Sequence, residues 1–191
     1  APAKVEAVDY EANLALLALE NGEDDFFQEL VPVELAETPT PGDTLDIVQV
    51  ENNGLPLVTS GPIQSVDVIS NFLPGQYFLA YEVKASMQNS ASSFSLPVYH
   101  ENRLAGMLTN YNSDDQISDV TSTPIVRRFL DDAADGEYLG FPSLGVATTS
   151  TDDSNFRDWL KLPEDQGGIY VSSVREDGPA AKAGLAKGDV R

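Results

Sequence analysis

The chain has 191 residues, with 31 Asp or Glu against 11 Lys or Arg, for a formal net charge of −20. That balance lacks the basic footprint needed to displace counterions, so nucleic acid and anionic membrane surfaces are excluded as partners. With 41 % hydrophobic residues the chain can still bury a core, and the absence of cysteine removes disulfides, thiolate catalysis and Cys-based zinc sites.

Val5 to Leu19 reads VEAVDYEANLALLAL, a spacing that suits a strand pair joined at Asp9–Ala12 or a helix, and periodicity does not decide between them. From Val31 to Leu108 the pattern is all-β. Strands are predicted at 45–50, 66–69, 77–83, 96–99 and 104–108. Turn signals separate them at Pro41-Gly42-Asp43, Asn52-Asn53-Gly54, Gly61-Pro62, Pro74-Gly75 and Glu101-Asn102. Such spacing favours a barrel or sandwich.

Thr121-Ser122-Thr123 followed by Pro124 marks a capped helix with apolar Ile125, Val126, Phe129 and Leu130, ending near Gly136. A second helix is predicted from Asp153 to Leu160. A strand at 169–174, a turn at Asp177-Gly178, a short helix from Pro179 and a further strand after Gly188-Asp189 complete the chain. No run approaches the roughly 18 apolar residues of a membrane-spanning helix. No basic-then-apolar leader stands at the front, so the expectation is a soluble chain that never had one or has been processed or trimmed.

The acid is unevenly distributed. Residues 1–140 hold 23 acids and 5 bases, whereas 141–191 hold 8 and 6. We expect a β-rich domain at 1–135, closing on a helix at 124–134, and a second domain at 136–191. The acidic clusters Glu23-Asp24-Asp25, Asp114-Asp115 with Asp119, and Asp131-Asp132 with Asp135 and Glu137 lack calcium-loop spacing and read as solvated faces. No metal or cofactor is expected.

Gly168-Ile169-Tyr170-Val171-Ser172-Ser173-Val174, with Gly178-Pro179-Ala180-Ala181-Lys182-Ala183-Gly184-Leu185 and Gly188-Asp189-Val190, resembles a PDZ domain of the HtrA/Deg protease type. Upstream, Tyr138 to Val146 resembles the loop with which such domains grip a C-terminal carboxylate. A glycine there lets successive N–H groups converge on an anion, and an extended peptide can pair as an added strand. Asp9-Tyr10-Glu11-Ala12-Asn13-Leu14-Ala15-Leu16-Leu17 is similar to the stretch holding the triad aspartate of the trypsin-like domain in this family. Leu96-Pro97-Val98-Tyr99, the Glu101-Asn102 turn and Leu104-Ala105-Gly106-Met107 resemble the segment just after its nucleophile.

The resemblance implies a mainly β fold: a trypsin-like β-barrel, incomplete and chiefly the second barrel, followed by a truncated PDZ-like α+β domain. It therefore implies a piece of a longer polypeptide. The catalytic set is not intact. Asn13 stands where the aspartate should be, and an amide cannot stabilise an imidazolium by charge. Phe94 stands at the serine, with Ser95 and Leu96 at the two glycines that come next. A register slip would offer Ser93 or Ser95 as nucleophile, but the serine-rich stretch from Ser90 to Ser95 reads first as a polar loop. The one histidine, His100, lies after the nucleophile position and reads as a surface residue.

The resemblance implies three candidate functions. The first is a non-catalytic protein that binds peptides or unfolded protein C-termini. Ser143, Leu144, Gly145 and Val146 would form the carboxylate loop, and Val146 with Ile169 would accept the last side chain. The second is an active serine endopeptidase of protein quality control whose histidine lies elsewhere. The third is a structural or assembly subunit of a homo-oligomer. Location in the cell envelope or periplasm, or secretion, is likewise only what the resemblance implies.

Overall fold

The opening segment folds as a hairpin, β1 (Ala3–Asp9) with β2 (Leu14–Leu19), antiparallel and bulged between Val5 and Ala7. This comes from a computed structural model, which describes residues 2–20, 26–51, 53–70, 77–87, 95–134, 136–163 and 165–191. Two units emerge, Ala1–Gly140 and Phe141–Arg191.

In the first unit β3 (Thr44–Val50), β4 (Pro56–Ser70), β5 (Tyr77–Lys84), β6 (Pro97–His100), β7 (Arg103–Asn112) and β8 (Ile117–Ser122) close a barrel in the order β3-β4-β5-β8-β7-β6. The fold is mainly β, as expected. Its centre is Leu45, Ile47, Tyr81, Val83, Val98, Leu108 and Val120, all fully buried. In β3 and β5 these residues alternate with outward ones, the period-two signature of a strand packed on one face.

Two elements differ from the expected pattern. Strand β4 runs for 15 residues and not four, because Gly61-Pro62 is a strand corner and not a turn. Residues 56–62 pair with β3 and 63–70 with β5. A Cβ on Gly61 would lie 2.1 Å from the Lys84 carbonyl oxygen, so only glycine fits this approach. Pro62 ends the β3 ladder opposite Thr44, where its missing N–H is tolerated. Strand β8 is absent from the expected set, because its inward positions include Ser118 and Ser122, which break the apolar alternation.

Helix α1 (Thr123–Ala133) packs Val126 and Phe129 inward against β2, β5, β7 and β8. Its hydroxyls do not cap it. Ser122 Oγ donates to the Leu79 carbonyl and Thr123 Oγ1 to the Ala105 carbonyl, each at 2.6 Å, while the Tyr81 hydroxyl donates to Thr123 Oγ1 at 3.3 Å. These groups fasten the helix to the barrel. The helix ends at Ala133, before Gly136, and residues 136–140, expected to open the second domain, group with the first unit. Asp132 explains this. It is only 8 % exposed, and its Oδ2 accepts the N–H groups of Leu139 at 2.9 Å and Gly140 at 2.8 Å. A member of an expected solvated cluster is thus a buried clamp.

The second unit holds β9 (Val146–Ser150), α2 (Ser154–Leu160), β10 (Ile169–Val174) and α3 (Pro179–Lys182), with β9 and β10 antiparallel. Asp153 caps α2 by accepting the Phe156 N–H at 2.8 Å. Phe156, Trp159 and Tyr170 cluster with centroids 5.3 to 6.5 Å apart. The expected last strand is a single bridge, Val190 to Tyr170, held by Ile169 N–H to Arg191 O and Val171 N–H to Asp189 O. Among the described residues no helix is long and apolar enough to cross a membrane.

Candidate functional site

The turn between β1 and β2 is built by Asp9. Its buried Oδ1 accepts the N–H groups of Glu11 and Ala12, both at 2.7 Å, and its Oδ2 accepts the Tyr138 hydroxyl. Burial, then the bond and charge of Asp9, push the Tyr138 phenol well above its ordinary pKa, so it remains a donor. This Asx-type turn leaves Asn13 in left-handed backbone at φ 55°, which asparagine tolerates.

Asn13 borders a cleft of about 680 Å³, and Ser95 borders it too. Ser95 is exposed, at φ 59°, and its N–H donates to the Leu108 carbonyl at 2.9 Å, extending the β6–β7 pairing. The structure therefore brings Asn13 and one fallback nucleophile to a shared cleft. Ser93 and Phe94 lie outside the described residues. No histidine lines the cleft among those described. His100 is half-buried at the surface, and its Nδ1 meets the Thr44 carbonyl at 3.1 Å, beside a different hollow that includes Asp43. Asp43 is held below the usual carboxylate range, chiefly by the Thr40 N–H.

Asp119 and Asn110, missed in the sequence, also line the cleft. Thr109 is the bulged residue of β7, and its hydroxyl donates to the Asp119 carbonyl at 3.0 Å. The next residue, Asn110, donates to Asp119 Oδ2 at 3.0 Å. Desolvation raises the Asp119 pKa, with repulsion from Glu82 adding to it and the Asn110 bond opposing it. In sequence this residue looks like one more acid beside Asp114-Asp115. Only its place in β8, between buried Ser118 and Val120, sets it apart, and that strand is itself hidden in the sequence.

In the second unit the loop entering β9 has Gly145 at φ 72°, with its N–H donating to Ser143 Oγ at 3.2 Å. The Leu144 carbonyl accepts from Ala180 N–H at 3.1 Å and the Gly145 carbonyl from Arg175 N–H at 2.8 Å. Leu144 is 65 % exposed and Val146 is half-buried. Ile169 does not join them. Antiparallel register pairs Val146 with Val174 and Ile169 with Ser150, placing Ile169 at the far end of the ladder, roughly 13 Å along the strand. The expectation that Val146 and Ile169 share one apolar pocket is corrected by that register.

No family model matches the chain. It is 26 % identical over 191 residues to Protease Do-like 4, mitochondrial, of Arabidopsis thaliana, an alignment covering 98 % of this chain and 36 % of that protein. To Protease Do-like 2, chloroplastic, of the same plant it is 28 % identical over 193 residues, covering 98 % and 31 %. The chain thus spans about a third of the length of the curated relatives it matches. Among solved structures, the HtrA-type protease AlgW with decapeptide superimposes with a TM-score of 0.73 at 22 % identity, over 98 % of this chain and 57 % of that one. Curated relatives and solved structures agree: the chain is similar to HtrA/Deg-type trypsin-like proteases, and its barrel has their fold.

Proposed function

We propose that the chain is a non-catalytic relative of HtrA/Deg proteases that captures the C-termini of peptides or unfolded proteins through its second unit, acting as a PDZ module, with the acidic barrel as scaffold. The observation that carries this reading is the edge of β9. Strand β10 pairs with one side of it, and the Ser143–Gly145 loop brings the Gly145 backbone N–H to its start. A peptide adding as a further strand would set its terminal carboxylate at that loop and displace the weak Ser143 bond, with its last side chain against Leu144 and Val146. The AlgW neighbour carries a decapeptide, and peptide capture is carried over to this chain as part of the proposal. Loss of catalysis rests on Asn13 at the aspartate position and on His100 engaging the Thr44 carbonyl. A homo-oligomeric assembly, an envelope or secreted location and a part in protein quality control belong to the same proposal.

The test compares binding of a peptide with a free apolar C-terminus and its amidated twin to the full chain. Much weaker binding of the amide is expected, and equal binding would eliminate the carboxylate loop as the capture site. An active endopeptidase is the second reading, favoured by Ser95 bordering the same cleft as Asn13. Stable fluorophosphonate labelling of Ser93 or Ser95 would establish that reading and sink the non-catalytic one.

A further inference from the structure

The hairpin joining β3 to β4 contains Asn53-Gly54, whose chemistry takes no part in peptide capture by the second unit. Of the chain's asparagines only Asn21 and Asn53 are followed by glycine, and Asn21 lies outside the described residues. A backbone nitrogen reaches the side-chain carbonyl carbon of the asparagine before it most readily when its own residue has no Cβ to obstruct the approach. At Gly54 the space is open: φ is 81°, and a Cβ added there would meet nothing within 4 Å. Asn53 is exposed, and both polar atoms of its amide are held. Leu55 N–H donates to Oδ1 at 2.8 Å, which folds Cγ back toward the Gly54 nitrogen. The same donor sits on the oxygen that gathers negative charge when Cγ is attacked. Nδ2 donates to Glu51 Oε2 at 3.3 Å. A bond from Gly54 N–H to the Glu51 carbonyl at 2.8 Å opposes attack, but at an exposed turn such a bond opens at little cost.

We propose that Asn53 is a site of spontaneous covalent modification, losing its side-chain amide to attack by the Gly54 nitrogen in the folded turn. Gly54 N gives its proton to solvent hydroxide and bonds to Asn53 Cγ. The Cγ–Nδ2 bond breaks, and the nitrogen leaves as ammonia with a proton taken from water, which restores the hydroxide. A water molecule then opens the succinimide ring at either carbonyl, so the product is aspartate or isoaspartate, with no change of oxidation state. Either product replaces the donor facing Glu51 with a second carboxylate, and isoaspartate also adds a methylene to the main chain. The added negative charge stands beside Glu51 on a chain already at −20, so this end of the hairpin loosens as the protein ages. The reaction is independent of C-terminal capture.

The experiment incubates the full chain at mildly alkaline pH and follows each asparagine by peptide mapping with electron-transfer fragmentation, which separates isoaspartate from aspartate and Asn53 from Asn21. A parallel sample is held unfolded in guanidinium chloride. Asn53 is expected to convert about tenfold or more faster than Asn13, Asn102, Asn110, Asn112 and Asn155, whose next residues all carry side chains. Its rate in the native chain should match or exceed that in guanidinium, rise with hydroxide, and yield isoaspartate that an isoaspartate-specific carboxyl methyltransferase labels. Gly54→Ala should slow conversion about tenfold. The slowing should persist in the unfolded sample, where strain at φ 81° plays no part. A native rate clearly below the unfolded one would overturn the assignment, because the turn would then protect Asn53. So would aspartate without isoaspartate, which means direct hydrolysis and no ring closure, or an unchanged rate in Gly54→Ala.

Discussion

Adding one methyl group at Gly106 is expected to damage the barrel as much as truncating a buried side chain. Gly106 lies in β7 opposite Ser122 and Val98. An ideal Cβ there would stand 2.1 Å from the Thr121 carbonyl oxygen and 2.8 Å from Val120 Cγ1, so the first contact is about 1.3 Å inside ordinary van der Waals distance. The oxygen belongs to backbone and cannot swing away, so β7 and β8 must part locally. Two ladder hydrogen bonds at about 1 kcal/mol each and an overpacking cost of about 1–3 kcal/mol give a loss of about 3–5 kcal/mol for Gly106→Ala. That is a large share of the roughly 5–15 kcal/mol that holds a domain together. Urea unfolding followed by far-UV circular dichroism measures it, with Gly167→Ala as the control. Gly167 has nothing within 4 Å of its added Cβ, so its change should stay within about 0.5 kcal/mol. Equal midpoints for the two variants would refute the close-approach reasoning.

Asp132→Ala orphans the N–H groups of Leu139 and Gly140 and should cost about 2–4 kcal/mol. Asp132→Asn keeps an acceptor and loses only the ion pair with half-exposed Arg128, worth about 0–1 kcal/mol, so the ranking of urea midpoints decides whether the clamp is the hydrogen bonds or the charge. Leu108→Ala, at a fully buried barrel centre, should cost about 2–5 kcal/mol, and a midpoint matching wild type would mean the core is not packed around it. Asp119 gives a pH signature. Its folded pKa lies above the unfolded value near 3.9, so the native state holds the extra proton in the window between them, and stability falls as pH rises through that window. Asp119→Asn should therefore melt above wild type at pH 7, with the gap closing on acidification; a gap that widens at low pH would contradict the sign. Gly145→Ala, strained at φ 72° and 3.2 Å from Arg175 Cβ, should weaken capture of a free C-terminus while leaving the barrel's unfolding in place.

Strands with unbroken alternation, such as Leu45–Val50 and Tyr77–Val83, are legible from residues alone, because their inward positions are all apolar apart from Gln49. Strand β8 is hidden because the hydroxyls of Ser118 and Ser122 occupy inward sites, where Ser122 satisfies the carbonyl of Leu79. Gly61-Pro62 has the composition of a turn, and only the partner strand shows that it is a corner. At the candidate sites, Asn13 is legible through the Asp9–Leu17 stretch, whereas Asp119 owes its character to Asn110, Glu82 and the cleft, which come from other strands. Ile169 and Val146 both look like pocket residues until antiparallel register separates them.

The Asx turn at Asp9 separates architecture from chemistry in the first hairpin. Asp9 and Tyr138 hold the loop's shape, and residue 13 is only the tip they present. Asparagine and aspartate are nearly the same size, and both accept left-handed backbone. The tip can therefore exchange an amide for a carboxylate without rebuilding the loop beneath it. Gain or loss of a charge at this position changes one heavy atom on an unchanged frame, whereas the same exchange at Asp9 would remove an acceptor that the frame itself depends on.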